Sequence, residues 1–519
     1  MSLLQWDSFP VLLVAAWVLV ELIPFMLPNW RQAHGWKVTA WFFRPLAFWG
    51  VYNIIYRYFE ALGLNDRTTF PFAFAAWRDN DPWIIFFCRL AASPDFWSAS
   101  AIVALLALLM VMVSRWIVSG PMNVKRTMLA LAWLVLLNIA MPLAYNCLPE
   151  GAQDPLEHKG SFLHAWFDSG NTMLYCMPHI VNKSHYLKHF QEIQPTMTAS
   201  IHGVSHPPGA SLALYWTGKP FGATGNIGQD RLRYALGTTV FSALGVLAMF
   251  FLGRTITGLN TIGLMAAALW SVKPATLAYN TFAADPLYSV FDILCLAFIW
   301  QAVTAPRRPW FSLISLGILF YVLSMINFNW ILFAGLYGLF LTSQALINRW
   351  CLAEWLWRAA LPAVILFSIL IWTCIEYHLD YLEIFRFSLG YTGRFYHMTG
   401  IYQWLMALIG SPLDLFLLCG SVPAYLFWRM YPVAVKRSLS EPLVVYLLAL
   451  LVVYGVTAVS VNVLKMESSR VWAWVTALPL VFVARYLALA DHPRFYFLMA
   501  VILALLQYYA MQLYLTPCG

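Results

Sequence analysis

Long apolar runs separated by short polar links repeat along most of this chain. Each run is roughly 17–25 residues long, enough to cross the hydrocarbon core of a bilayer as a helix. The pattern predicts an all-α polytopic membrane protein with roughly 12–14 transmembrane helices. The predicted spans cover residues 10–27, 38–56 (crossing or interfacial), 99–118, 128–145, 234–252, 261–277, 282–303, 310–326, 328–347, 357–375, 404–428, 443–463, 471–486 and 495–515.

One long polar stretch, residues 146–209, interrupts this pattern. It contains seven of the eleven histidines and ends in Ser205-His206-Pro207-Pro208-Gly209. Loops of this length are uncommon in compact proteins and are usually functional. The apolar run that follows, residues 210–221, is too short to cross a bilayer, and we expect an interfacial or re-entrant helix there.

The basic residues of the short links test this topology. Alternating the spans places five basic groups on one side, which the positive-inside rule predicts to be cytoplasmic. The loop 146–209, the segment 377–400 and the link 465–470 then lie together on the opposite side. The five groups are Lys125/Arg126, Arg307/Arg308, Arg349/Arg358, Lys436/Arg437 and Arg485/Arg494.

Composition agrees with a membrane protein and excludes an ordinary soluble one. Of the 519 residues, 61% are hydrophobic and only 10% are charged, whereas soluble domains carry about a quarter charged residues. The 25 Trp and 26 Tyr suit aromatic belts at the two membrane interfaces. Basic residues in cytoplasmic loops explain the net charge of +8, so the charge does not indicate a nucleic-acid partner. Residues 1–10 lack the features of a cleaved signal, so the first hydrophobic segment is expected to be retained.

Chemistry points to the loop 146–209. A carboxylate just outside the bilayer can act as a general base on an acceptor hydroxyl, a role open to Asp154, Glu157 and Asp168. A loop or helix-cap acid is the alternative for each of them. Cys147 and Cys176 could form a disulfide in an oxidising compartment or remain thiols.

Histidines in the loop suggest two further features. Pro207 and Pro208 fix the backbone after His206 and present that side chain rigidly at the start of the next helix. His185 and His189 share a helix face at i, i+4, yet no acid or cysteine stands beside them at a ligand spacing. An amphipathic loop helix is therefore the expectation, and a divalent cation is left open.

Several charged residues outside the loop also fall on its side of the membrane. Arginine binds phosphate through paired, charge-assisted hydrogen bonds, so these cations suit a lipid phosphate, with interfacial snorkelling as the alternative. Asp285 lies where a span begins, and an acid there is costly unless it is paired or functional. The candidate substrate-binding residues are His206, Arg231, Arg233, Asp285, Arg394, Lys465, Glu467 and Arg470.

This arrangement resembles the GT-C class of integral membrane glycosyltransferases. In that class a core span leads to a long external loop with a catalytic Asp or Glu, which ends near a His-Pro-Pro element. The corresponding pieces here are the span 128–145, the acids Asp154 and Glu157, and His206–Gly209. The segments 284–287 and 467–472 also resemble bacterial members of the class. The Asp-Glu dipeptide of the protein O-mannosyltransferases is absent, so the base assignment stays open.

The resemblance implies an inverting transferase on the extracytoplasmic face of the plasma (inner) membrane. The donor would be a polyprenyl-phosphate sugar and the acceptor a hydroxyl of a glycan, lipid or protein. Residues 1–126 would be additional N-terminal helices and residues 127–519 the catalytic membrane domain. The chain contains no phosphate-binding loop or dinucleotide fingerprint. A secondary transporter or a lipid flippase is the alternative function; a transporter commonly has inverted repeats, which the sequence does not show.

Overall fold

A computed structural model describes residues 94–146, 172–180, 182–197, 201–280, 284–305, 309–395, 419–460 and 473–514, with residues 15, 17–22, 40, 43, 44, 47, 412 and 415. The predicted spans 10–27 and 38–56 therefore fall largely outside it. So do residues 147–171 of the loop 146–209 and residues 404–418 of the predicted span 404–428. The described residues form α-helices and 3₁₀ turns and contain no strand.

The helices are numbered here in chain order. The first ten are α1 (Pro94–Ile117), α2 (Val124–Asn146), α3 (Lys183–Lys188), α4 (Phe190–Ile193), α5 (Ile201–Ser205), α6 (Pro208–Gly218), α7 (Ile227–Ser242), α8 (Leu244–Thr257), α9 (Asn260–Ser271) and α10 (Pro274–Tyr279). The remaining nine are α11 (Asp285–Thr304), α12 (Trp310–Ile326), α13 (Trp330–Ile347), α14 (Leu352–Tyr377), α15 (Tyr381–Phe395), α16 (Ser421–Arg437), α17 (Pro442–Ser460), α18 (Ala477–Ala488) and α19 (Pro493–Tyr514). Four 3₁₀-helices lie at Thr172–Ile180, Gln194–Thr196, Lys219–Phe221 and Ala473–Thr476.

The chain is an all-α polytopic membrane protein, as its apolar pattern predicts. Within the described residues, six apolar segments are long enough to cross a bilayer, and shorter apolar helices accompany them. The total of 12–14 spans and the likeness to the GT-C class remain predictions. Large apolar side chains on α1, α12 and α14 stay exposed, among them Leu105, Phe311 and Ile371. Exposed apolar side chains of this kind suit contact with lipid.

The predicted span 234–252 is divided only at Ala243, between α7 and α8. Two further predicted spans are broken by irregular backbone. The span predicted at 261–277 consists of α9 and α10, which meet at Val272 and Lys273, because Pro274 cannot donate a helical hydrogen bond and instead occupies the first turn of α10. The span predicted at 471–486 begins as the 3₁₀-helix Ala473–Thr476 before α18. Both breaks place irregular backbone inside the protein, where other helices can satisfy it.

The basic links lie at one face of the bundle, here called the basic face. Arg358 is buried and donates hydrogen bonds to the carbonyls of Ala302 (2.8 Å) and Ala305 (3.2 Å) at the end of α11. Arg494 donates to the carbonyls of Val118 and Ser119 after α1, both at 3.0 Å. A cation at a helix C-terminus satisfies orphan carbonyls and complements the helix dipole.

Further contacts at the same face join the remaining described links. Arg126 donates to the carbonyl of Trp116 at 3.2 Å, and Asn260 to that of Met122 at 3.2 Å. Arg485 pairs with Glu441. Three of the five basic groups thus contribute an arginine that contacts a helix end or a link at this face, as the alternation of spans predicts. Lys436 and Arg437 end α16, next to the link that contains Glu441. Arg307 and Arg308 lie outside the described residues.

A layer of short helices covers the opposite face. Gln194 bonds to the carbonyl of Val204 (2.7 Å) and to Ser388 (3.2 Å), which joins the segment before α5 to α15. Tyr381 of α15 donates to the carbonyl of Ser324 in α12 at 2.9 Å. The segment 377–400, for which only the side of the membrane was predicted, contains the amphipathic helix α15.

The sidedness of the membrane can be tested with Cys351, which is exposed at the basic face just before α14. If the basic face is cytoplasmic, a variant retaining only Cys351 will react with an impermeant maleimide in inside-out vesicles and not in intact cells. A Ser184→Cys variant in the cysteine-free background is the matched control, because Ser184 is exposed in α3 on the other face. Labelling with the two patterns exchanged would overturn the predicted orientation.

Candidate functional site

The His-Pro-Pro-Gly segment forms a rigid corner between α5 and α6. Pro207 is extended (φ −65°, ψ 164°) and Pro208 occupies the first turn of α6. Proline fits both positions because its φ is fixed and the first helical turn needs no N–H partner. His206 is half-buried in this corner, with its Nδ1 3.1 Å from the hydroxyl oxygen of Ser205. The prediction that the two prolines present His206 at the start of a helix is confirmed.

Gly209 explains why a glycine follows the two prolines. A Cβ atom at this position would overlap the carbonyl group of Met325, near the end of α12. The N-terminal turn of α6 therefore rests directly on the backbone of α12. Any side chain would push the two helices apart, and His206 would move with α6.

Two buried phenols hold the same end of α6 from other directions. Tyr288 of α11 donates to the carbonyl of Ala210 at 3.3 Å, and the hydroxyl of Tyr186 in α3 bonds to that of Ser211 at 3.1 Å. Both phenols are fully or nearly fully buried. The polar loop, α6 and the transmembrane helix α11 are thus joined at one point.

Asp285 lies at the rim of this corner. It begins α11, followed by Pro286 in the first turn, and is partly exposed. Tyr288, one turn further along α11, lies with its ring centroid 6.4 Å from that of His206. Asp285 interacts electrostatically with Tyr288. Of the predicted site residues whose side chains are described, His206 and Asp285 are therefore brought to one region, called the rim below.

Asp292 is a residue that the sequence analysis missed. It lies two turns below Asp285 on α11, is only 1% exposed, and receives a hydrogen bond from the side chain of Asn329. Its Oδ1 has no hydrogen-bond partner among the described residues. A buried acid of this kind is costly in a membrane and is a functional candidate by default. In the sequence, Asp292 could have been noticed as an acid inside the otherwise largely apolar run 282–303.

Lys273 is the second missed residue. It is 1% exposed at the break between α9 and α10, and its Nζ lies 3.5 Å from the ring centroid of Trp270. Nζ also donates to the carbonyl of Ala473 and the hydroxyl of Thr476, both at 3.3 Å. The part of the chain that the structure describes offers no acid within ion-pair distance. In the sequence, Lys273 could have been noticed as a single ionisable residue within the apolar run 261–277.

Arg233 is already engaged in an ion pair. Its guanidinium lies 2.6 Å from Oδ1 of Asp230, and 40% of its side chain is exposed. Asp230 is fully buried, and its other oxygen accepts bonds from the N–H groups of Thr224, Gly225 and Asn226. Arg233 therefore helps to fix the turn before α7, and its exposed part remains a candidate for binding phosphate. Arg231 follows Asp230 in α7, but its side chain is not among those described.

The other predicted site residues lie outside the described structure. These are Asp154, Glu157, Asp168, Lys465, Glu467 and Arg470, and the side chain of Arg394 in α15. Cys176 is buried, but Cys147 is not described, so their disulfide remains a prediction.

Histidines of the loop do not form a metal centre in the described part of the chain. The rings of His185 and His189 lie 4.3 Å apart, and His189 Nδ1 is 3.1 Å from a carboxylate oxygen of Glu192. Among the residues described, no group of three or more His, Cys, Asp or Glu side chains is placed to hold a metal ion. The short amphipathic helix expected for this segment is observed as α3.

Comparison with known proteins adds no identity: the chain matches no protein-family model, and a search of curated proteins finds no match.

The packing at Gly209 predicts that a single methyl group will disturb the rim. Gly209→Ala should lower stability by about 1–3 kcal/mol, because the added Cβ overlaps the Met325 carbonyl. The measurement is the melting temperature of the purified protein in detergent. Gly335→Ala in α13 is the control, since a Cβ there meets no atom within 4 Å, and this variant should be unchanged or slightly more stable. Equal melting temperatures for wild type and Gly209→Ala would contradict the packing.

Asp230 predicts a stability that depends on pH. Burial by itself would raise the pKa of this carboxyl, but the hydrogen bonds from Thr224, Arg233 and Gly225 together lower it. A lowered folded-state pKa contributes stability above the unfolded-state value of about 3.9, which is lost as the pH falls through the folded-state pKa.

Asp230→Asn should therefore destabilise the protein by about 1–3 kcal/mol at pH 7, and its deficit relative to wild type should shrink below about pH 4. Melting temperatures between pH 7 and pH 3 provide the measurement. Asp491→Asn, a change at an exposed acid, should show no such deficit at pH 7. A deficit for Asp230→Asn that stays constant over the whole pH range would refute this role.

Proposed function

We propose that this protein is a membrane glycosyltransferase that moves a sugar from a polyprenyl-phosphate donor to an acceptor hydroxyl. The reaction would take place at the rim, on the face opposite the basic face. The observation that supports the proposal is that His206 and Asp285 both lie near Tyr288, where the loop 146–209 joins the bundle. These two residues lie in two of the segments on which the resemblance to the GT-C class rests; the others are the span 128–145, the loop acids Asp154 and Glu157, and the segment 467–472.

The chemistry follows from this placement. A carboxylate of the loop, from Asp154, Glu157 or Asp168, takes the proton of the acceptor hydroxyl. The acceptor oxygen forms a bond to the anomeric carbon on the face opposite the phosphate, and the bond from that carbon to the phosphate oxygen breaks. The phosphate leaves with the electron pair on its lipid, which remains in the bilayer. Inversion at the anomeric carbon results.

Charged residues predicted on the same side of the membrane as the rim would bind the substrates. Arg231, Arg394, Lys465 and Arg470 would contact the donor phosphate, because cations attract phosphate and guanidinium groups bind its oxygens in pairs. Arg233 is a further predicted phosphate ligand, but its ion pair with Asp230 holds it near the end of α6 that is farther from the rim. His206 would donate to the phosphate or to a sugar hydroxyl, and Asp285 and Glu467 would accept from sugar hydroxyls. A divalent cation is left open: the loop acids Asp154, Glu157 and Asp168 would be the residues to hold it, and it would supply positive charge to the departing phosphate.

One observation favours a different function. Asp292 and Lys273 are charged-type side chains buried inside the bundle, and such residues mark solute or ion paths in transporters. A secondary transporter or a flippase is therefore the second candidate. The two proposals differ in whether a covalent product forms.

The test is transfer of labelled sugar from purified polyprenyl-phosphate donors to a membrane acceptor fraction. The three candidate bases are replaced one at a time, in Asp154→Asn, Glu157→Gln and Asp168→Asn. The variant that removes the catalytic base should lower turnover about 10²–10⁴-fold. His206→Ala and Asp285→Asn should lower kcat/KM by roughly tenfold to a hundredfold, because each removes hydrogen bonds to a charged or buried substrate group.

Glu192→Gln is the matched control, since Glu192 is an acid of the same loop that is 78% exposed and pairs only with His189 among the described residues. This variant should keep wild-type turnover. Transfer that survives all three acid substitutions would remove these acids from the mechanism. Absence of transfer with every donor, together with movement of a lipid or solute in vesicles, would favour the second candidate.

A further inference from the structure

A group of lysine and aromatic side chains lies at the far end of α6 from the rim. Lys183 of α3 places its Nζ 3.2 Å from the ring centroid of Trp216, and Lys219 places its Nζ 4.6 Å from that of Tyr215. The two rings are neighbours, with centroids 6.3 Å apart. These four residues, Lys183, Tyr215, Trp216 and Lys219, are called the lysine–aromatic cluster.

The level of this cluster relative to the bilayer can be read from its contacts. The apolar segment of α7 and α8 begins at Leu232, and Gly237 lies five residues inside it. A Cβ at Gly237 would overlap the carbonyl of Thr217, and one at Gly218 would overlap the ring of Tyr234. The end of α6 is therefore level with the first turns of a membrane-spanning segment. The cluster lies at the boundary between the hydrocarbon core and the headgroups.

The cluster faces outward. Trp216 is 51% exposed, and both lysines are exposed although each lies against a ring. Exposed apolar side chains, Phe221 and Leu232, follow in the chain within and just after this turn. An indole and long alkyl side chains at this depth suit the interface between acyl chains and headgroups.

The charge of the cluster is uncompensated among the described residues. Ion pairs of the described lysine, arginine and acidic side chains include neither Lys183 nor Lys219. Two ammonium groups therefore lie on neighbouring rings at headgroup level, and neither pairs with a described acid. A cation on a ring face still has N–H donors directed away from the ring, available to an anion.

We propose that the lysine–aromatic cluster binds the headgroup phosphate of an anionic glycerophospholipid in the leaflet opposite the basic face. Lys183 and Lys219 contact the phosphate, while Trp216, Phe221 and Leu232 contact the upper acyl chains. The bound lipid fixes the end of α6 to the membrane, and α6 carries the rim at its other end. This binding does not depend on the transfer reaction.

The experiment is native mass spectrometry of the full chain titrated with phosphatidylglycerol, and separately with phosphatidylcholine and polyprenyl phosphate. A lysine near a lipid surface contributes roughly fivefold in affinity. Lys183→Ala with Lys219→Ala should therefore weaken phosphatidylglycerol binding by roughly 25-fold. The pair Lys183→Arg and Lys219→Arg should retain it. Phosphatidylcholine should bind wild type more weakly than phosphatidylglycerol and be little affected by either pair.

Lys188→Ala is the matched control, because Lys188 is an exposed lysine of the same helix α3 without a ring contact in the described structure. It should bind phosphatidylglycerol as wild type does. The proposal is overturned if the alanine pair binds phosphatidylglycerol like wild type, or if Lys188→Ala loses as much as the pair. It is also overturned if wild type prefers polyprenyl phosphate to phosphatidylglycerol at this cluster, or does not distinguish the two phospholipids. Melting temperatures of all variants establish that each is folded.

Discussion

The close approach of α6 to its neighbours is the contact on which the rest of this architecture depends. A helix too short to cross the bilayer must bury its backbone against protein, because lipid offers no hydrogen bonds. Three glycines make this contact possible: Gly209 against the Met325 carbonyl, Gly218 against Tyr234, and Gly237 against Thr217. These contacts fix both ends of α6. Through α6, the loop that precedes it is packed against the neighbouring helices α7, α11 and α12.

Charge is divided between the two faces of the bundle for different physical reasons. At the basic face, Arg358 and Arg494 complete the hydrogen bonding of helix ends, so their role is structural. At the other face, Asp285 and His206 are partly exposed at a helix start and at a proline-fixed corner. Side chains that remain accessible in this way can exchange partners with a substrate, which the arginines of the basic face cannot do without releasing carbonyl groups.

Burial of the acid Asp292 and the base Lys273 costs free energy, because both side chains lose their contact with water. The fold alone does not require ionisable residues at these positions. Replacing buried polar groups with apolar residues of similar size is often neutral or stabilising. Asp292 keeps an oxygen without a partner among the described residues, and Lys273 lies against Trp270 with no described acid within ion-pair distance. Asp292 lies on α11, which begins at the rim, whereas Lys273 lies at the break between α9 and α10.

Three features could be predicted from the sequence: the polytopic membrane class, the side on which the basic links lie, and the helix that begins after His206. Each depends on residues that are close together in the chain. Hydropathy, positive loops and proline geometry all act within a few residues. Sequence reasoning did not reach the contact of Gly209 with Met325, which joins residues more than a hundred positions apart. Nor did it reach α15, which hydrogen bonds join to Gln194 and Ser324, or the pairing of Asp292 with Asn329. These features arise from tertiary packing, which a single sequence does not encode in its periodicity.

A cryo-electron microscopy structure of the full chain with a polyprenyl-phosphate sugar tests the central claim most directly. We expect the sugar and phosphate to lie at the rim, between His206 in its corner and Asp285 at the start of α11, with the lipid chain leaving along the bundle. Donor bound instead at the basic face would contradict this claim, as would a solute held between Asp292 and Lys273 with the rim unoccupied.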